Sequence, residues 1–151
     1  MKVVIQRCKS GSCTVDDKIV SKIGNGLVVL AGFNVNDTID DINYIVKKIV
    51  NLRIFDDENG VMNKSVIDVN GEILSISQFT LQAITKDGNR PSYVNAMKGE
   101  DAIKLYEIFN SKLNDGVKTY SGVFGADMLI KIDNDGPITI VIDSQNKWCY
   151  L

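Results

Sequence analysis

The chain of 151 residues contains no histidine, and this absence narrows the chemistry that it can perform. Histidine is the side chain best suited to proton transfer near neutral pH, and it is also the commonest metal ligand. Without it, the chain has no Ser-His-Asp or Cys-His machinery and no imidazole to bind a metal. An enzyme built from this chain must work through backbone donors, hydroxyls, carboxylates or the substrate itself. We therefore expect neither a metal nor another cofactor.

Long hydrophobic runs are also missing, and cysteines are few. No apolar run reaches the ~18–20 residues of a membrane span, and the first residues become charged too early for a secretory signal. We therefore expect a cytoplasmic protein with no membrane partner. The cysteines, Cys8, Cys13 and Cys149, match no metal spacing. Cys8 and Cys13 could meet across a hairpin, but the favoured interpretation is free buried thiols in a reducing compartment.

The net charge is small and negative, −2 at pH 7, with a sequence pI near 5.1. Proteins that bind long stretches of nucleic acid neutralise many phosphates, so we expect no DNA partner. Contact with only the end of an RNA stays open. Lys86, Arg90 and Lys98 gather in the middle of the chain, where they form either a solvated loop or a contact for phosphates. The length and the 44% hydrophobic content predict a single domain over residues 1–151.

Hydrophobic periodicity predicts many strands but only two helices. The first helix opens at Asp37-Thr38, where Thr38 and Asp41 resemble a capping box. The second helix covers 100–113 and follows a loop at 85–93. This order predicts an α/β fold, in which a mixed sheet curls toward a barrel with both helices packed outside. The predicted strands are 2–8, 12–15, 18–23, 27–33, 52–55, 72–78, 118–123, 128–133 and 137–143. Ser10-Gly11 interrupts the first two, and Asp16-Asp17 indicates a tight hairpin between the second and third.

The first segment with a chemical signal is Ser77-Gln78-Phe79-Thr80-Leu81, where a buried strand gives way to a loop. Consecutive backbone N–H groups that leave a strand can stabilise an oxyanion without an acidic side chain. Thr80 adds a hydroxyl, but as a nucleophile it needs an activating base, and the usual one is missing. The alternative is a strand end whose serine and threonine satisfy local backbone groups.

The second segment is Asn134-Asp135-Gly136-Pro137-Ile138-Thr139, which opens the last predicted strand. Proline belongs at the first residue or the edge of a strand, because it donates no hydrogen bond to a sheet. An X-Pro bond adopts the cis form at modest cost, and glycine tolerates backbone angles that other residues avoid. A cis Gly136-Pro137 bond would make a rigid backbone wall. The alternative is a plain turn before the strand.

Together the two segments resemble the signature motifs of the D-aminoacyl-tRNA deacylases. Four further segments are similar to that family in order and spacing, from residue 1 to about 144, and only the tail at 145–151 departs from it. Each segment is weak alone, but six in order indicate the family. The four segments are Met1-Lys2-Val3-Val4-Ile5-Gln6-Arg7, Asn51-Leu52-Arg53-Ile54-Phe55, Arg90-Pro91-Ser92-Tyr93-Val94-Asn95-Ala96 and Gly122-Val123-Phe124-Gly125-Ala126-Asp127-Met128.

The resemblance implies a homodimer that binds the acceptor end of an aminoacyl-tRNA. It hydrolyses the ester between a D-amino acid, or glycine, and the terminal adenosine. In the family the Gly-Pro bond is cis and enters the partner subunit's active site, where its carbonyls occupy the space that an L side chain needs. Gly136 and Pro137 would therefore reject L substrates. A sister class with a trans Gly-Pro pair accepts L-alanine, but it departs from Ser-Gln-Phe-Thr and lacks the early arginine, both of which this chain has.

The resemblance also implies roles for individual residues. Amides around Gln78, Phe79 and Thr80 bind the oxyanion, and Ser77 shapes that turn. The attacking group is either Thr80, activated by a carboxylate that folding brings near, or water assisted by the 2′-hydroxyl of the RNA. The absence of histidine favours the second. The alternative function is a binding module for nucleic acid or protein, which would not turn over D-aminoacyl-tRNA.

The other implied site residues fall into two groups around the substrate. One group forms or holds the Gly-Pro loop, and the other lines the adenosine end. The first group is Asn134, Gly136, Pro137, Arg7 and Met128, and the second is Phe124 and Ala96.

Overall fold

The computed structural model describes residues 1–147. The sheet is organised around β1 (Lys2–Val15), which pairs antiparallel with three other strands. The first half of β1 pairs with β3 (Gly26–Gly32), and its second half pairs with β2 (Lys18–Ile23). The last strand, β8 (Leu129–Asp143), runs antiparallel along nearly all of β1. Distant parts of the chain are therefore aligned against one strand.

Parallel pairing extends the sheet beyond β3. β3 pairs with β6 (Glu72–Ser77), and β6 pairs with β7 (Thr119–Ser121), both in parallel. β2 contacts β6 and β7, so the mixed sheet curls into a nearly closed barrel. β4 (Phe55–Asp56) and β5 (Met62–Lys64) form a separate antiparallel pair.

Two helices pack outside the barrel. α1 (Ile39–Asn51) begins after Thr38, whose N–H donates to the Asp41 carboxylate at 2.9 Å, so the predicted capping box is confirmed. α2 is Gly99–Gly116, and both helices bury their apolar faces against the same side of the sheet. The predicted α/β fold with two outer helices is confirmed. A second buried cluster lies within the barrel and consists of Cys8, Cys13, Ile23, Val28, Leu74 and Ile76.

β1 differs from its prediction, because the segments 2–8 and 12–15 form one continuous strand. The interruption predicted near Gly11 is wrong. A Cβ at Gly11 would lie 2.7 Å from Val28 Cγ2, so the glycine allows close packing inside the barrel and does not turn the chain. The hairpin predicted at the next interruption does form, with both Asp16 and Asp17 at positive φ.

Other boundaries also changed. The strands predicted at 128–133 and 137–143 are one strand, β8, whose pairing with β1 is interrupted by a loop. The strand predicted at 52–55 is wrong except at its end, because the chain becomes extended and paired only at β4. The sequence also gave no signal for β5 or for the short 3-10 helix Phe79–Gln82.

The described cysteines, Cys8 and Cys13, are free and buried, as the favoured interpretation predicted for the state of these thiols. Cys149 belongs to the tail at 148–151, which lies outside the described residues. None of the helices within residues 1–147 has the length and apolar character needed to cross a membrane.

Candidate active site

A cavity of about 520 Å³ opens where β6 ends. One wall of the cavity is apolar: Ala31 of β3, Ile76 of β6 and Ile130 of β8 line it, together with Phe33, which directly follows β3. The sequence-predicted site residues in its lining are Ser77, Gln78, Phe79, Phe124 and Met128.

The turn that follows β6 contains two backbone N–H groups without an acceptor among the described residues. Gln78 N–H donates to Ala31 O at 2.7 Å, so this amide is engaged by the neighbouring strand. Phe79 and Thr80 begin the 3-10 helix, where the first amides have no acceptor within the helix. Within residues 1–147, neither of these two amides donates a hydrogen bond to a backbone carbonyl of a turn, a loop or another element. Two adjacent donors are therefore left free beside the cavity, an arrangement suited to binding an oxyanion.

The hydroxyl of Thr80 is exposed and accepts a hydrogen bond from Gln78 Nε2 at 2.5 Å. Within the described chain, no carboxylate or amine hydrogen-bonds to this hydroxyl. Thr80 therefore has no base positioned to activate it in this conformation.

Asp127 is the one ionisable side chain among the described residues that line the cavity. It is exposed, and the sequence analysis assigned it no role. Its only sequence signal was its position between Phe124 and Met128, in one of the family-like segments. Folding thus brings a carboxylate to the cavity, although among residues 1–147 it forms no hydrogen bond with Thr80.

The two described thiols are poor nucleophiles. Burial raises the pKa of Cys8 to about 11, against the opposing effect of backbone hydrogen bonds such as that of Gly26. Burial also raises the pKa of Cys13. Both thiols are therefore protonated near neutral pH, and the thiolate is the reactive form. In the part of the chain that the structure describes, no cluster of three or more His, Cys, Asp or Glu could hold a metal ion.

The Gly136-Pro137 segment forms a loop that leaves the β1–β8 ladder. Gln6 pairs with Thr139, and Cys8 pairs with Asn134. Between these pairs β1 has one residue, Arg7, whereas β8 has four, 135–138, which bulge out as the loop. The Gly136-Pro137 peptide bond is cis, and Gly136 has φ +121°. The loop is exposed at both of these residues.

Asn134 ties the two limbs of this loop together. Its Nδ2 donates to Arg7 O at 2.9 Å and to Ile138 O at 3.0 Å. Its Oδ1 accepts from the Thr139 hydroxyl at 3.2 Å and from Gln6 Nε2 at 3.3 Å. One side chain therefore fixes the entry and the exit of the loop against β1.

Arg7 holds the same loop from beneath. Its buried guanidinium donates from Nη1 to Ile54 O at 2.8 Å and from Nε to Asp135 O at 3.3 Å. Nε also lies 3.2 Å from Asp135 Oδ2, and Nη1 lies 3.4 Å from Asp56 Oδ1. Lys9 forms a second, exposed ion pair with Asp135. The loop is thus anchored by a buried cation.

The structure does not bring all the predicted site residues together in one chain. Arg7, Asn134, Gly136 and Pro137 line no part of the cavity. Thr80, in the turn beside the cavity, is not among the lining residues either. Ala96 lies outside the lining and pairs with Asn34, and Met128 lies in the cavity wall with its sulfur beside Gly122.

Comparisons with known proteins agree on the family. The family model for D-Tyr-tRNA(Tyr) deacylase matches residues 4–143. A D-aminoacyl-tRNA deacylase of Flavobacterium psychrophilum is 58% identical, over 97% of this chain and 99% of the relative. Similar proteins of the same name are 56% identical in Parabacteroides distasonis, at the same coverage, and 49% identical in Clostridium novyi, over 98% of this chain and all of the relative.

Solved structures agree on the fold. A c-Myc DNA unwinding element binding protein superposes with a TM-score of 0.91 and 42% identity, over 95% of this chain and 98% of that one. A probable eukaryotic D-amino acid tRNA deacylase has a TM-score of 0.79 and 19% identity, over 93% and 97% of the two chains, and supports the fold alone. The near-complete match to the family model and to its named relatives shows that this chain belongs to the D-aminoacyl-tRNA deacylase family, a family of ester hydrolases.

Proposed function

We propose that the protein hydrolyses the ester bond of D-aminoacyl-tRNA and of glycyl-tRNA, releasing the free amino acid and the tRNA. The observation that carries this proposal is the pair of unengaged amides of Phe79 and Thr80 beside the cavity. Ester hydrolysis passes through an oxyanion, and two preorganised N–H donors stabilise that charge without a side-chain acid. Family membership supplies the substrate class.

The proposal includes a homodimer in which the Gly136-Pro137 loop of one subunit enters the cavity of the other. Two observations support this arrangement. The loop is held firmly by Arg7 and Asn134, but within the described chain it does not line the cavity beside β6. Among the strands of residues 1–147, β8 pairs only with β1, so its second edge is open to another copy. Backbone carbonyls of the loop would fill the space that an L side chain needs, so only D substrates and glycine fit.

In the proposed reaction, water attacks the ester carbonyl with help from the 2′-hydroxyl of the terminal adenosine. The state of Thr80 supports this choice, because its hydroxyl accepts from Gln78 and, among residues 1–147, hydrogen-bonds to no carboxylate or amine. The protein then positions the ester and stabilises the oxyanion, while the substrate supplies the hydroxyl that assists attack. No metal takes part in this scheme. We place the reaction in the cytoplasm, where aminoacyl-tRNA is found.

The first experiment compares hydrolysis of D-tyrosyl-tRNA and L-tyrosyl-tRNA by the purified protein, with and without a chelator. We expect release of D-tyrosine and no release of L-tyrosine. Release of neither would overturn the proposed activity, and release of both would overturn chiral selection. Loss of activity on chelation would overturn the metal-free scheme. A D-tyrosyl-tRNA ending in 2′-deoxyadenosine tests the attacking group, because it should react far more slowly if the 2′-hydroxyl assists.

A binding module is the competing function, and one structural relative favours it by name, since that protein is described as binding a DNA unwinding element. The charge of this chain, −2 with a pI near 5.1, disfavours extensive contact with DNA phosphates. Catalytic turnover separates the two functions. A binding module would release at most one amino acid per subunit, whereas an enzyme at a concentration far below that of the substrate would deacylate all of the D-aminoacyl-tRNA.

A further inference from the structure

Next to the cavity lies a small exposed surface of two aromatic rings and one apolar side chain, here named the aromatic shelf. It consists of Phe79, Tyr93 and Val94, whose exposed fractions are 58%, 39% and 72%. The two rings meet edge to face, with centroids 5.1 Å apart and planes at 69°. Aromatic side chains of this size are usually buried, so such a pair left in solvent indicates a binding surface.

The aromatic shelf is continuous with the cavity on one side. Phe79 belongs to both, because its residue lines the cavity while its ring contacts Tyr93. A polymer whose end enters the cavity must continue into solvent, and Phe79 is a lining residue that is 58% exposed.

On its other side, the aromatic shelf adjoins a cationic hairpin. Ile84 and Ser92 exchange two backbone hydrogen bonds, of 2.8 and 3.0 Å, which close the loop 85–91 directly before Tyr93. The loop carries Lys86 and Arg90. Lys86 pairs only with its exposed neighbour Asp87 at 3.9 Å, a contact that solvent weakens, and within residues 1–147 Arg90 forms no ion pair. These cations are therefore free to meet an anionic partner.

We propose that the aromatic shelf binds the single-stranded RNA that precedes the terminal adenosine, stacking one of its bases on Tyr93 while Lys86 and Arg90 meet its phosphates. The inference rests on the proposed function, which puts the terminal nucleoside in the cavity. Alternating π-faces and phosphates are the chemistry that aromatic rings beside cations recognise in single strands. An acidic protein chain would supply the charge but not the bases. With only a few phosphates in contact, the overall acidity of the protein is no obstacle.

Two minimal substrates test the aromatic shelf: the D-tyrosyl ester of adenosine and the D-tyrosyl ester of the trinucleotide C-C-A. The wild-type protein should show the higher kcat/KM on the trinucleotide, because only that substrate reaches the shelf. Tyr93→Ala should lower kcat/KM for the trinucleotide about tenfold more than for the adenosine ester, the effect of one lost base stack. Tyr93→Phe should retain the preference. Tyr44→Ala is the matched control, because Tyr44 lies on α1, outside the cavity and the shelf.

The cations are tested through the salt dependence of KM for the trinucleotide ester. Lys86→Gln and Arg90→Gln should each reduce the slope of log(1/KM) against log salt by about 0.7, the value for one single-strand phosphate contact. Lys104→Gln, on the exposed face of α2, should leave the slope unchanged.

The outcomes separate this inference from the proposed function. Equal kcat/KM on the two esters, or an equal loss on both in Tyr93→Ala, would overturn the aromatic shelf while leaving the activity established. If no ester or D-tyrosyl-tRNA is hydrolysed, the proposed function fails. Binding of unacylated C-C-A then tests the shelf by itself: binding that Tyr93→Ala weakens supports it, and no binding overturns it.

Discussion

The turn after β6 and the loop in β8 are both short segments that interrupt pairing in the barrel, but they are held in opposite ways. The turn leaves the amides of Phe79 and Thr80 unengaged, and both side chains are exposed. The β8 loop is fixed by the buried guanidinium of Arg7 and by four hydrogen bonds of Asn134. The turn lines the cavity beside β6, and the described residues that line this cavity do not include Gly136 or Pro137 of the loop.

This difference indicates two kinds of functional part. A segment that will bind a ligand in its own chain keeps donors free, because the ligand completes their hydrogen bonds. A segment that will present its backbone to a ligand in another subunit must instead be rigid before the ligand binds. Hydrogen bonds from side chains of its own chain must therefore fix its conformation. Variants of the β8 loop should therefore affect stability and activity together, whereas removing the Thr80 hydroxyl from the turn should affect neither strongly.

The largest effect is expected for Arg7→Met. The variant leaves Ile54 O and the Asp135 carboxylate without their buried partner, so unfolding in urea should show a loss of about 2–4 kcal/mol. Hydrolysis of D-tyrosyl-tRNA should fall about 10²-fold under conditions where the protein stays folded, because a loop displaced by about 1 Å no longer fits the site. The matched control is Lys9→Met, which removes an exposed ion pair to the same carboxylate and should cost at most about 1 kcal/mol. Equal losses in the two variants would contradict the anchoring role of Arg7.

Next comes Asn134→Asp, which keeps the shape of the side chain but turns its amide donor into an acceptor. The carbonyls of Arg7 and Ile138 then face an oxygen, and we expect a loss of about 2 kcal/mol in urea unfolding. Asn51→Asp makes the same chemical change at an exposed amide that donates to Lys47 O, and it should cost less than about 1 kcal/mol. If the two variants lose the same stability, Asn134 does not tie the loop together.

Features that depend on residues adjacent in sequence were predicted correctly, whereas features that depend on contacts between distant residues were missed. The hairpin at Asp16 and Asp17 and the capping box follow from residues next to each other, and both are found. The continuity of β1 depends on packing between Gly11 and Val28 on another strand, so a local pattern suggested a break. Both motif segments could be singled out from the sequence, but the arrival of Asp127 at the cavity required the folded chain.

A smaller effect is expected for Gly136→Ala. Gly136 has φ +121°, where an L side chain is strained, and an added Cβ would lie 2.7 Å from Ile138 Cγ1. We expect about 1–2 kcal/mol of lost stability, with at least tenfold slower hydrolysis because the loop must shift. Gly60→Ala is the control: it has φ +73° with no atom within 4 Å of the added Cβ, so it should lose about 1 kcal/mol and retain full activity. A Gly136→Ala enzyme as active as Gly60→Ala would break the comparison, because the loop would then tolerate displacement.

The smallest effect is expected on the turn itself, for Thr80→Ala. The variant removes an exposed hydroxyl that accepts one hydrogen bond from Gln78 but keeps the backbone amide in place, so stability should change by at most about 0.5 kcal/mol. Hydrolysis of D-tyrosyl-tRNA should fall less than about tenfold, because the proposed mechanism relies on the backbone amide and the 2′-hydroxyl of the substrate, and both remain. If Thr80 were the nucleophile, the effect would be much larger, because loss of a nucleophilic hydroxyl typically lowers kcat on the order of 10⁶-fold. A fall of that size with unchanged unfolding would assign attack to Thr80, and the carboxylate of Asp127 would then be the first group to examine as its base.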